Sequence, residues 1–182
     1  MHSYVVLMRG INVGGKNRVP MVELKQYLEE LGFKDVLTYI QSGNVILRSA
    51  LSAAVIGAQI EDMLPKKFKL DSSIVKVVAI EHSAYKKIVA NAPKNFGKDS
   101  AAFRYNVLFL MNFSADEAMQ QITAREGVDE VWQGDHVLYF CNSIAEATKS
   151  HLSKITQRPV YKSVTIRNWN TTSKLLELLK AY

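Results

Sequence analysis

Val36-Leu-Thr-Tyr-Ile-Gln-Ser-Gly-Asn-Val-Ile-Leu-Arg-Ser49 reads as two short strands, Val36–Gln41 and Val45–Ser49, around the turn Ser42-Gly43-Asn44. What flanks this pair decides the fold. Upstream, Tyr4–Met8 is a β-branched, apolar strand, and Pro20 opens a helix with Met21, Leu24, Leu28 and Leu31 at helical spacing. Gly32 stops that helix. Downstream, a second helix runs from Ser52, with Ile56, Ile60 and Leu64 on one face, and ends at Pro65. A strand follows over Ile74–Ile80. The order is βαββαβ. Two strands joined directly by a turn do not belong in a doubly wound parallel sheet, where helices separate the strands. They belong in an α+β ferredoxin-like unit, the α/β-plait.

The pattern then repeats. Residues 82–102 form a connector, with a short helix near Ser83–Ala90 and a turn-rich stretch after it. Tyr105–Met111 is a strand, and Ser114-Ala-Asp-Glu117 is a capping box that opens a helix. Val128–Trp132 and Val137–Cys141 form a hairpin. A second capping box, Ser143-Ile-Ala-Glu146, predicts another helix with Ile144, Thr148, Leu152 and Ile155 along it. A strand over Val160–Ile166 precedes a final helix capped by Asn170, with Leu175, Leu176, Leu178, Leu179 and Tyr182 as its apolar stripe. The expected organisation is two consecutive βαββαβ units, 1–81 and 103–182, the second carrying the C-terminal helix.

Topology brings two polar turns together. In a split βαβ unit the third strand lies antiparallel between the first and second, so the end of the first strand meets the turn between the other two. That places Arg9-Gly-Ile-Asn-Val-Gly-Gly-Lys16 beside Gln41-Ser-Gly-Asn44. From Arg9 to Pro20 there are three glycines, three cations, two asparagines and no acid. Glycine reaches positive φ freely and exposes backbone N–H groups, so the composition suits an anion. Gly10–Asn17 falls one residue short of the phosphate-loop pattern GxxxxGK[ST]. Asn17 replaces the hydroxyl that holds magnesium, and the surrounding sheet is of the wrong kind.

The totals describe a globular chain: 182 residues, 48% hydrophobic and 22% charged, with a net charge of +6. No apolar run is long enough for a membrane span. One cysteine, Cys141, fits a reducing compartment, and the cytoplasm is expected. Between Thr148 and Leu176 stand six cations and no carboxylate. That basic 148–176 segment suggests an alternative partner, nucleic acid. RNA-recognition domains share this topology and stack bases on aromatics of their first and third strands. Here the first half has no aromatic on Val45–Leu47, and alternation exposes only part of Tyr105, Phe109, Tyr139 and Phe140 in the second. Four scattered histidines offer no metal-ligand spacing, so neither metal nor cofactor is expected.

Three stretches, RGINVGGKNRVPM, TYIQSGNVIL and TIRNWNTTSKL, resemble the hallmark motifs of an uncharacterised bacterial family, the domain of unknown function 1697. The resemblance implies two ferredoxin-like halves and carries no established activity. By position it singles out Arg9, Gly10, Asn12, Gly14, Gly15, Lys16, Tyr39, Gln41, Ser42, Gly43, Asn44, Arg167, Asn168 and Trp169. The expected function is binding of a small phosphate- or carboxylate-bearing ligand. Arg9 and Lys16 supply charge, the Gly10, Gly14 and Gly15 region a cradle, and Asn12, Gln41, Ser42 and Asn44 orientation. Arg167, with Asn168, is expected to complete the site. No proton-transfer pair can be named, so no reaction is assigned.

Overall fold

The computed structural model describes residues 1–71 and 73–181. It divides into two compact units, one of Met1–Lys86 with the chain from Leu175 onward, the other of Lys87–Lys174. The first unit contains β1 (His2–Arg9), α1 (Met21–Glu30), β2 (Lys34–Tyr39), β3 (Asn44–Ser49), α2 (Ala53–Lys67) and β4 (Lys76–Glu81). Its antiparallel sheet has the order β2-β3-β1-β4. Alternation sends Tyr4, Val6 and Met8 of β1, with Val45 and Leu47 of β3, into one core. Leu24 and Leu28 of α1 and Ile56, Ile60 and Leu64 of α2 meet them there. Val5, Leu7 and Ile46, on the other face, are also fully buried. Pro65 does not end α2 but sits inside its last turn, and the Phe68 N–H still reaches the Leu64 carbonyl. Proline has no amide to donate to the Glu61 carbonyl, so the helix gives up that one bond and continues through its last turn.

α3 (His82–Ala90) spans the boundary between the units. The second unit continues with β5 (Phe103–Leu110), α4 (Ala115–Gln121), β6 (Asp129–Gln133), β7 (Val137–Ser143) and β8 (Val164–Asn168). Its sheet, β6-β7-β5-β8, repeats the first order. The capping box that opens α4 forms as expected: the Glu117 N–H donates to Ser114 Oγ, and the Ser114 N–H donates to the Glu117 carboxylate. Leu108, Leu110, Leu138 and Phe140 build the core on one face of the sheet, with Ala118, Ile155, Val160 and Val164.

The helix predicted after Ser143 is not formed. Three short 3-10 turns stand in its place, Ala147–Lys149, Leu152–Gln157 and Pro159–Ser163, and the last takes the start of the predicted strand. Half of the capping box survives, since the Glu146 N–H donates to Ser143 Oγ at 3.3 Å. Propagation fails because partners remote in sequence compete for the backbone. The Asp129 carboxylate accepts the His151 N–H at 2.8 Å, and Arg125 donates to the Lys149 carbonyl. Thr148, Ser150, Ser153 and Thr156 add weak helix formers, and Pro159 ends any continuation.

α5 (Trp169–Leu179) closes the described chain, with Leu175, Leu176 and Leu179 buried. Tyr182, the last residue of the predicted stripe, lies outside the described residues. The helix cap is Asn168 rather than Asn170, because the Asn168 carboxamide oxygen accepts the Thr171 N–H at 2.8 Å. Thr172, the fourth residue of a helix otherwise rich in leucine, is accommodated by donating to the Asn168 carbonyl.

Candidate functional site

The glycine loop is a miniature hairpin. The Lys16 N–H donates to the Val13 carbonyl at 3.0 Å, and the Asn12 N–H to the Asn17 carbonyl at 2.9 Å. Between them Gly14 and Gly15 both hold positive φ, 58° and 75°, the signature of a type I′ turn. Nothing lies within 4 Å of where a Cβ on either glycine would be, so the tip stands clear of the rest of the protein. Gly10 is needed for the opposite reason: a Cβ there would lie 2.5 Å from the Ile74 carbonyl oxygen.

Two asparagines anchor the hairpin. Asn12 accepts the Val19 N–H and donates to the carbonyls of Val19 and Gln41, at 2.8 to 2.9 Å. Asn17, buried, donates to the Gly10 carbonyl at 2.7 Å and accepts the Asp71 N–H at 2.8 Å. Both have positive φ, which asparagine tolerates better than most residues. The expected convergence of the two turns is therefore real, and it is made by side chains acting on backbone. The Met8 N–H also donates to the Gly43 carbonyl.

Those bonds change the roles of the predicted residues. Asn12 is a clamp. Asn44 is wholly buried and donates to the Tyr39 carbonyl and to Ser42 Oγ, so it cannot meet a ligand at the surface. Arg9 donates to the Ile74 carbonyl at 2.6 Å, tying the end of β1 to the approach to β4. Gln41 and Ser42 are exposed on the turn. Lys16 is exposed and among the described residues forms no ion pair within 4.0 Å, although its charge reaches Asp71. The Ser73 hydroxyl and N–H hold the Asp71 carboxyl below its usual range, with Lys16 adding to the effect. What remains for a ligand is the tip itself: Gly14, Gly15 and Lys16.

Arg167 and Asn168 belong to the second unit. Arg167 is buried and donates to Thr165 Oγ1 at 2.8 Å and to the Ile166 carbonyl at 2.9 Å. Asn168 instead lines an open cleft of about 380 Å³. Its neighbours there include Arg104, Asn106, Trp169 and Asn170. Of these, the sequence marks Asn170 as a helix cap and the family resemblance singles out Asn168 and Trp169, while Arg104 and Asn106 carry no mark. The available signal was Asn106, a polar residue within β5, immediately before the apolar run Val107-Leu-Phe-Leu110.

The aromatic platform considered for RNA is not free. Phe109, Tyr139 and Phe140 are buried, and Phe140 belongs to the opposite core. Phe96, from the connector, packs edge-on against Tyr105 at 4.9 Å and Tyr139 at 5.6 Å. Its chain occupies the surface on which a base would stack. Burial pushes the Tyr139 hydroxyl up to about 12, and the Tyr139 hydroxyl donates to the Ile88 carbonyl. Burial likewise pushes the Cys141 thiol up to about 11, helped by Glu130 and Asp129, which suits a core thiol rather than a nucleophile. The basic segment does bring His151, Lys154 and Arg158 together, around a smaller cleft of about 140 Å³.

Among the described residues no helix is long and apolar enough to cross a membrane. No curated protein matches the chain. Among solved structures, it is similar to the conserved bacterial protein SP0830 from Streptococcus pneumoniae. The two share 27% identity over 99% of each chain, with a TM-score of 0.84. That likeness extends through both units and includes the Arg167–Trp169 stretch. Residues 1–139 match the family described as a protein of unknown function, DUF1697, and take in the first two of the three motifs. With well over half its length matched, and both sheets in the expected order, the chain belongs to that family.

Proposed function

We propose that the protein binds a small phosphate- or carboxylate-bearing ligand at the tip of the glycine hairpin, with no catalytic step assigned. One observation carries this reading. Lys16 follows two glycines whose N–H groups bond nothing among the described residues, on a tip held in place by Asn12 and Asn17. Unbonded amides beside an ammonium group favour an anion, and a tip already fixed loses little entropy on binding it. The single buried cysteine is consistent with a cytoplasmic protein.

Thermal melting against a panel of phosphates, sugar phosphates and carboxylates tests the proposal. A ligand at a hundred times its Kd adds about 2.7 kcal/mol, a readily measured shift. The shift is expected to vanish in Lys16→Ala. A panel without effect, or an equal shift in the variant, removes the tip as a site. A second reading, nucleic-acid binding, is favoured by the convergence of His151, Lys154 and Arg158. Salt separates the two, because affinity for a polyanion falls steeply with ionic strength.

A further inference from the structure

We infer that the second unit carries a separate binding site for a nucleoside monophosphate, in the cleft where β8 ends beside the start of β5. The cleft follows from strand lengths. Asn168, the last residue of β8, pairs with Asn106, and the chain turns into α5 at Trp169. β5 continues three residues further, through Tyr105 and Arg104 to Phe103, with no β8 partner beside it. The step left at the sheet edge is the cleft, of about 380 Å³, at the small end of the usual range for ligand pockets.

Its two sides differ in chemistry. Trp169, Phe103 and Tyr105 give an aromatic side, each half-buried. Phe96 stands edge-on to Trp169 at 5.2 Å, and a Cβ on Gly97 would lie 2.0 Å from Trp169 Cδ1, so glycine is what lets the ring lie there. The aromatic wall is therefore fixed before any ligand arrives. The other side is polar. Asn106 and Asn168 are cross-strand partners and share a face, and Arg104 lies two residues along β5 on that same face.

Among the described residues these polar groups are unpartnered. The Arg104 guanidinium makes neither an ion pair nor a hydrogen bond, and the carboxamides of Asn106 and Asn170 make no hydrogen bond. Asn168 uses its oxygen as the helix cap and keeps both amide hydrogens. Asn106 is half-buried, and a carboxamide at that depth is ordinarily satisfied, while Arg104, Asn168 and Asn170 stand exposed at the mouth, so the group offers donors and acceptors to a partner with both. A planar heterocycle meets each requirement: its face stacks on the aromatic wall, and its polar edge pairs with carboxamides, which match nucleobase edges well. Arg104 then takes an attached phosphate. An apolar ligand leaves the amides unpaired, and inorganic phosphate leaves the aromatic wall unused.

Calorimetric titration of the whole protein with AMP, GMP, CMP and UMP tests this. The matching nucleosides, inorganic phosphate and a short single-stranded RNA run beside them. A Trp132→Phe background makes Trp169 the fluorescent reporter. At least one monophosphate is expected to saturate and to change Trp169 emission. Arg104→Ala should weaken it about tenfold or more while leaving the nucleoside unchanged. Asn170→Ala should alter the ranking of the bases. Lys16→Ala should leave all of this unaffected, so failure at the hairpin tip and failure here are distinguishable. No saturation by any monophosphate overturns the proposal, as does equal binding by Arg104→Ala. Binding of the RNA alone overturns it in favour of a polymer. Melting temperatures of the variants exclude unfolding, and Asn170, exposed on the first turn of α5, is the variant least able to disturb the fold.

Discussion

The two asparagines of the glycine hairpin and two of the three in the second-unit cleft, Asn106 and Asn170, are opposite in use. Asn12 and Asn17 spend their carboxamides on backbone groups of their own unit, bridging chain segments as far apart as Gly10 and Asp71. Asn106 and Asn170 spend theirs on nothing among the described residues. The first pattern is how a loop without a hydrophobic core of its own is kept in one shape, since each buried backbone group needs a partner. In the cleft, rigidity comes from rings instead. Phe96 is surrounded by Tyr105, Trp132, Tyr139 and Trp169, all within 5.9 Å between centroids and near perpendicular. Polar side chains there are left over for recognition. A residue type that reads as a site in sequence can thus be scaffold in one place and available in another.

The largest effect is expected where rings do the holding. Phe96→Ala removes a buried aromatic from the centre of four others, and should cost about 3–5 kcal/mol in urea denaturation. A cost below about 1 kcal/mol means the cluster is not what fixes the cleft wall.

Next is the hairpin clamp. Asn12→Ala deletes three side-chain hydrogen bonds and leaves the Val19 N–H and two carbonyls without them, for an expected loss of about 2–3 kcal/mol. Positive φ at Asn12 adds strain for alanine. Hydrogen exchange should show faster opening at Val19, and an unchanged rate there breaks the contrast drawn above.

Much of this frame was legible in the sequence. Apolar alternation placed the strands, the helical spacing of Met21, Leu24 and Leu28 placed α1, and the connection of the β2–β3 pair gave the sheet order that brings the two turns together. Those signals are local and periodic. The fate of Ser143–Ser163 was not legible, because the residue that captures the His151 N–H is Asp129, remote in sequence. The cleft was hidden for a similar reason. It exists because β8 is shorter than β5, and strand ends depend on pairing that composition does not encode. Nor does the sequence distinguish a bonded asparagine from an unbonded one. Asn12 sits in a glycine-rich loop and Asn170 in the stretch Asn168-Trp-Asn170, and nothing in either stretch tells which carboxamide will be bonded.

A smaller effect tests the hairpin tip. Gly15→Ala adds a methyl group to open space, so its cost is that of positive φ alone, about 1–2 kcal/mol. Gly10→Ala carries the same backbone cost plus the clash with the Ile74 carbonyl, and should be the worse of the two. Similar melting temperatures for both break the distinction between a free tip and a wedged base.

The smallest effect is the most informative. Asn170→Ala removes a carboxamide that bonds nothing, from an exposed position one residue into α5. Alanine is also the better helix former, by a few tenths of a kcal/mol. Stability should therefore stay within about 0.5 kcal/mol of the parent, or rise slightly. Asn12→Ala, in the same denaturation experiment, supplies the contrast: the same substitution of the same residue type, with a cost set by its partners. If Asn170→Ala instead loses more than about 1 kcal/mol, its carboxamide is held by something in solution, and it belongs with the scaffold asparagines rather than with the cleft.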